Sequence, residues 1–157
     1  MQRIINTPNR RFWLIAAGIL LAAFIFYTRL WAQAPFAATD TNPYLDVARD
    51  LTDFRLDEFH VRAPGYPWLI MLTGSAQMPN RLLFIVQLGM YFGVVAFLLG
   101  LLRRMAVRAS LLWVFLFIAL LPYNVMPAAK VLTETFSQFL LVFGLGLFLL
   151  WLEKGRW

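Results

Sequence analysis

Four stretches of this chain carry no charged side chain over lengths that suit a membrane crossing. Residues 12–28 lie between Arg11 and Arg29, 82–102 between Arg81 and Arg103, 109–129 between Arg108 and Lys130, and 135–152 between Glu134 and Glu153. A spanning helix takes about 20 predominantly apolar residues at a rise of about 1.5 Å each. The first run reaches position 31 if Arg29 lays its stem along apolar surface and sends its guanidinium toward headgroups. Pro122 and Pro127 shorten the third, because proline removes a backbone donor and crowds the preceding turn. The expected spans are 12–31, 82–102, 109–121 and 134–152, with irregular backbone after the third.

Composition sharpens this. Of 157 residues, 61% are apolar and 14% charged, against about 45–50% and about 25% in soluble domains. A core of this size cannot hide so much apolar surface from water, so the excess is expected to face lipid. That argues against a soluble enzyme, a disordered chain and a free-standing nucleic-acid binder. The expected class is an all-α integral membrane protein, residues 1–157 forming a single membrane domain. With no cysteine, the chain can hold no disulfide, iron–sulfur site or thiol nucleophile.

The net charge of +6 reads as a topology signal and needs no nucleic-acid partner. With the N-terminus cytoplasmic, the inner segments hold Arg3, Arg10, Arg11, Arg103, Arg104, Arg108, Lys154 and Arg156 against Glu153 alone. The outer segments hold Arg29, Arg49, Arg55, Arg62, Arg81 and Lys130 together with every other acid of the chain. A multi-pass protein of the cell (inner) membrane is expected, with loop 32–80 extracytoplasmic. Ala32-Gln33-Ala34 also resembles a signal-peptide cleavage site; cut or uncut, the next segment lies outside.

Loop 32–80 is the only long hydrophilic stretch, and long structured loops commonly carry function. Asn42-Pro43 reads as an N-cap followed by proline at the first helical position. Tyr44, Val47, Ala48, Leu51 and Phe54 recur at helical spacing opposite Asp46, Arg49, Asp50 and Asp53. This predicts an amphipathic helix lying in the membrane interface. Pro64, Gly65 and Pro67 predict a tight, extended turn before a short apolar piece at 68–72.

His60 is the sole histidine, so neither a zinc pattern nor a Ser/His/Asp set is credible, and no glycine-rich phosphate loop occurs. Carboxylates and arginines remain. Asp40 is either a loop carboxylate or a general base taking a proton from an attacking hydroxyl. Arg62, in Arg62-Ala63-Pro64-Gly65-Tyr66-Pro67, is either a headgroup-binding arginine or a bidentate clamp on a phosphate. Arg55 and Arg81 are weaker candidates for the same clamp. Glu134, at the start of the fourth span, is either a functional carboxylate or the helical i,i+4 partner of Lys130.

The sequence holds one span and a loop with Asp40 followed by Asn42-Pro43-Tyr44-Leu45-Asp46-Val47-Ala48-Arg49-Asp50-Leu51. Arg62-Ala63-Pro64-Gly65-Tyr66-Pro67-Trp68-Leu69 comes next, then a span closing in Arg103-Arg104, then Pro122 and Thr133-Glu134-Thr135-Phe136. This order resembles the N-terminal part of the GT-C glycosyltransferases, in particular the protein-mannosyltransferase and aminoarabinose-transferase-like group. The resemblance implies a partial GT-C fold and transfer of a sugar from a polyprenyl-phosphate carrier to an extracytoplasmic acceptor. It puts Asp40 at the family's catalytic carboxylate and Arg62 at the basic residue that contacts the carrier phosphate. Tyr66 belongs to the same motif and joins Arg55 and Glu134 as a substrate-binding candidate. In some members a glutamate directly before that basic residue helps bind a divalent metal; Val61 stands there in this chain, and no metal is assigned. Family members carry many more spans, so four correspond to the N-terminal third of such an enzyme, with a further part as partner. The competing reading is a small non-enzymatic membrane subunit, or an inactive fragment, that acts through helix packing.

Overall fold

A computed structural model describes residues 10–38, 41–55, 65–131 and 133–154. Among the described residues seven α-helices follow one another: α1 (Arg10–Leu30), α2 (Thr41–Thr52), α3 (Gly65–Leu72), α4 (Arg81–Arg104), α5 (Ala109–Ala119), α6 (Pro122–Val125) and α7 (Glu134–Lys154). A 3₁₀ turn, Met126–Ala129, links α6 to α7. No strand occurs among the described residues; the only extended pairing is an isolated parallel bridge between Phe36 and Lys130. The all-helical class expected from sequence is observed.

Three helices, α1, α4 and α7, are long and apolar enough to cross a membrane. Their bounds fall within two residues of those read from the flanking charges. The third expected span differs. α5 has 11 residues, a length of about 16 Å, and the segment Pro122–Ala129 leaves it at 65°. The backbone after Pro122 is thus not irregular, as expected, but helical in a new direction.

Contacts along the helices fix how they run. α1 and α4 are antiparallel. The Arg103 guanidinium lies 5.4 Å from the Phe12 ring centroid, Phe24 meets Phe92 edge-on at 5.7 Å, and Arg81 donates to the Thr28 carbonyl at 3.5 Å. α4 and α7 are parallel, with Phe97 stacked on Phe143 at 4.4 Å and Arg104 paired with Glu153 at 2.9 Å. Glycine permits close contact at position 146, where a Cβ would fall 2.6 Å from Phe97 Cζ and 3.1 Å from Leu101 Cδ1. The bundle therefore has an arginine-rich end, with Arg10, Arg11, Arg103, Arg104 and Arg108, and a loop end that gathers α2, α3 and the starts of α4 and α7.

Where α5 stops, its last carbonyls need partners. Pro122 has no N–H to offer the Ile118 carbonyl, which accepts instead from Leu121 N at 3.1 Å and from Asn124 Nδ2 at 2.8 Å. The Tyr91 hydroxyl donates to the Ala119 carbonyl at 2.6 Å, and the Tyr27 hydroxyl donates to the Leu120 carbonyl at 2.5 Å. Three side chains thus supply donors where the next helical turn would have supplied its own.

Three other helices end alike. After α2, Phe54 N bonds Leu51 O at 3.3 Å and Arg55 N bonds Asp50 O at 2.8 Å. The same pair of bonds follows α3 at Gly74 and Ser75, and α4 at Ala106 and Val107. Each is a Schellman motif with a left-handed residue: Phe54 at φ 57°, Gly74 at φ 66°, Ala106 at φ 58°. This overturns the expectation that Phe54 extends the apolar face of α2. The helix stops at Thr52 and Phe54 is 86% exposed. The expected cap is corrected too: α2 already begins at Thr41, so Asn42 sits inside the first turn with Pro43. Likewise Gly65 to Pro67 is the first turn of α3, where proline's missing donor is not needed, and not an extended turn.

Candidate functional site at the loop end

The amphipathic pattern of α2 is real, and its apolar face is covered by protein. Tyr44, Leu45 and Ala48 pack with Tyr66 and Ile70 of α3, and with Ala76, Leu83 and Val131. Arg49 holds α2 from its polar side. Its Nε donates to the Ala76 carbonyl at 3.1 Å and its Nη1 pairs with Asp46 at 2.7 Å. Asn80 organises the next corner, capping α4 through Leu83 N at 3.1 Å and donating to the Thr73 carbonyl at 2.8 Å.

The first loop segment is pinned to the segment before α7. Phe36 N bonds Ala129 O at 2.7 Å, and Val131 N bonds Phe36 O at 3.1 Å. Thr41, first residue of α2, accepts from Ala38 N at 2.6 Å and donates to Val131 O at 3.5 Å. Gly65, first residue of α3, lies against the ring of Phe136, where an added Cβ would sit 3.4 Å away. Both helix starts therefore converge on 131–136.

Of the residues singled out from sequence, Asp40 and Arg62 lie outside the described residues, as do His60 and Val61. Tyr66 is 2% exposed. It accepts a hydrogen bond from Gln87 Nε2 at 2.9 Å, and its ring meets Tyr44 edge-on at 5.4 Å and Phe136 at 6.1 Å. Arg55 follows the left-handed Phe54 with its side chain exposed. Arg81 is exposed and donates to the Thr28 carbonyl at the end of α1 at 3.5 Å. Glu134 is the exposed first residue of α7, where a negative charge suits the helix dipole. It lines a cleft of about 280 Å³ with Lys130, Tyr123, Asn124 and Gln138. The expected helical Lys130–Glu134 pair does not form: Lys130 is extended, at φ −114° and ψ 153°, outside any helix.

Sequence reasoning missed Gln87. It is wholly buried in the second turn of α4, and its Nε2 bonds both the Tyr66 hydroxyl and the Lys130 carbonyl at 3.1 Å. Its Oε1 has no hydrogen-bond partner among the described residues, and neither has Oγ1 of the buried Thr135. A buried acceptor left so costs about 1–3 kcal/mol, which makes the junction of α3, α4 and α7 the place where polarity is concentrated inside the loop end. The available signal was an amide inside an otherwise apolar span. Among the described residues no three His, Asp or Glu side chains gather around one point that a cation could take.

Comparison with protein-family models, with curated proteins and with solved structures gave no match.

Proposed function

We propose that this chain is a membrane glycosyltransferase of GT-C type, or a portion of one, that moves a sugar from a polyprenyl-phosphate carrier to an extracytoplasmic acceptor. The observation that carries the proposal is the convergence on 131–136. Covalent geometry keeps Cα40 about 3.8 Å from Cα41 and Cα62 no more than about 11 Å from Cα65. Thr41 bonds the Val131 carbonyl and Gly65 lies against the Phe136 ring, which supports a reading in which the chain just before each helix serves one site.

The chemistry is an inverting displacement. The bond from the anomeric carbon to the carrier phosphate oxygen breaks, and its electron pair leaves with the phosphate. Arg62 binds the phosphate oxygens and stabilises that charge. The acceptor hydroxyl attacks from the opposite face, and Asp40 takes its proton. Tyr66, Arg55 and Glu134 contribute to substrate binding. The carrier's phosphate partitions to the bilayer surface, which accounts for a site built from loops at span ends.

In this reading the protein is a multi-pass protein of the cell (inner) membrane, its arginine-rich end cytoplasmic and its loop end outside. The segregation of Arg10, Arg11, Arg103, Arg104 and Arg108 from the loop end supports that orientation. The side-chain partners at the end of α5 support burial of that end in an apolar medium.

The test is transfer by membranes containing the full chain and a lipid-linked sugar donor. Asp40→Asn should lower the rate by about 10²–10⁴-fold, and Arg62→Ala should raise the donor requirement, both with unchanged protein in the membrane. Transfer indifferent to Asp40→Asn refutes the base assignment. The second reading, a non-enzymatic subunit acting through helix packing, draws on α7: 11% of its span is buried within the chain, leaving a wide apolar surface. Wild-type membranes that consume no donor would select it.

A further inference from the structure

We propose that the groove between α5 and α7 seats a phospholipid with a zwitterionic phosphoethanolamine headgroup. The proposal rests on the reading of α4 and α7 as membrane spans, and not on sugar transfer.

α5 and α7 both pack on α4 and leave a crevice of about 340 Å³ between them, floored by Tyr91, Val95 and Leu98 and walled by Phe115 and Val142. That volume is within the range of about 300–1,000 Å³ typical of ligand sites. From Tyr91 to Leu98 the floor follows α4 for about 10 Å. The walls are apolar and suit a hydrocarbon chain.

Asn124 and Gln138 border both this crevice and the cleft of about 280 Å³ at the loop end. The two spaces therefore meet, an apolar slot below and a polar mouth above. Lys130 and Glu134 stand at that mouth, and neither forms an ion pair among the described residues. Lys130 is held by its backbone: its carbonyl accepts from Gln87, and its N–H donates to the Pro127 carbonyl at 3.2 Å. Its ammonium is left to act on something else.

The charges select the headgroup. A purely anionic headgroup meets repulsion from Glu134, and a purely cationic one meets repulsion from Lys130. A headgroup carrying both signs satisfies both, with phosphate on Lys130 and ammonium on Glu134. A primary ammonium donates hydrogen bonds to the carboxylate, which a quaternary one cannot. Phosphatidylethanolamine is thereby favoured over phosphatidylcholine and phosphatidylglycerol. Tyr123, 85% exposed beside the mouth, has the amphipathic ring that favours a headgroup boundary.

The experiment is native mass spectrometry of the full chain, delipidated in detergent and offered the three phospholipids with identical acyl chains. The wild type should retain phosphatidylethanolamine about fivefold over the other two, the worth of one exposed charge contact. Glu134→Gln should abolish the preference over phosphatidylcholine and raise phosphatidylglycerol binding. Lys130→Ala should lower all three, and Val142→Phe, which fills the crevice, should do the same. Bound phosphatidylethanolamine should also slow hydrogen exchange over 115–124 in the wild type, a readout that needs no variant. Equal retention of the three lipids, preference for phosphatidylglycerol, or retention indifferent to Lys130→Ala and Glu134→Gln each overturns the proposal. Asp40→Asn should keep lipid retention while losing sugar transfer, so failure of either idea is told apart from failure of the other.

Discussion

Replacing Tyr91 by phenylalanine isolates what holds the broken end of α5. The ring stays, with its edge-on contact to Phe92 at 5.9 Å, and only the hydroxyl that donates to the Ala119 carbonyl at 2.6 Å is lost. Tyr91 and Ala119 are 9% and 8% exposed, so little water can replace that donor. The orphaned carbonyl should cost about 1–3 kcal/mol. Tyr27→Phe removes the donor to the next carbonyl, Leu120, and should cost a similar amount. Because the two acceptors are adjacent, the double variant should depart from additivity. Reversible unfolding in mixed micelles by SDS titration measures each value. Hydrogen exchange should then show the loss localised at 116–125. Losses below about 0.5 kcal/mol for both variants would refute the claim that these hydroxyls terminate the helix.

Glycine gives a paired prediction on α7. Gly146→Ala should destabilise by about 1–3 kcal/mol, because the Phe97 ring it meets is already stacked on Phe143, whereas Gly144→Ala, with nothing within 4 Å, should be neutral or stabilising. Ala106→Gly should stabilise by about 1 kcal/mol in the same titration, since a Cβ is disfavoured at its φ of 58°. The cysteine-free sequence allows single-cysteine topology mapping. Gln77→Cys should react with an impermeant maleimide added to intact cells and Met105→Cys only after permeabilisation; the reverse pattern contradicts the orientation.

What the sequence made legible were features set by charge and period. Arg11, Arg81, Arg103 and Glu153 bracket helices whose limits match, because an ionised side chain is excluded from an apolar span. The polar face of α2 was legible for the same reason. Features set by three-dimensional partners were not. Pro67 reads as part of a turn until a helix start is seen to tolerate it. Nothing local marks Phe54 or Ala106 as left-handed, since neither is the glycine that usually signals this motif. Tyr27, Tyr91 and Asn124 are distant in sequence and gain meaning only where α5 stops. In the candidate site, Tyr66 came from a motif, and its partner Gln87 was hidden by the apolar run around it. Of the two readings of Glu134, the helical pair with Lys130 needed position 130 to lie in the same helix, and Lys130 is extended ahead of it.

The proposed sugar transfer needs positions 40 and 62 to share one site on the extracytoplasmic side. Cysteines introduced at both positions, treated on intact cells with a short impermeant bifunctional maleimide, test it most directly. An intramolecular cross-link should form from outside and become less frequent when the lipid-linked donor is present. Two cysteines that label singly but never cross-link, or that react only from the cytoplasmic side, would contradict it.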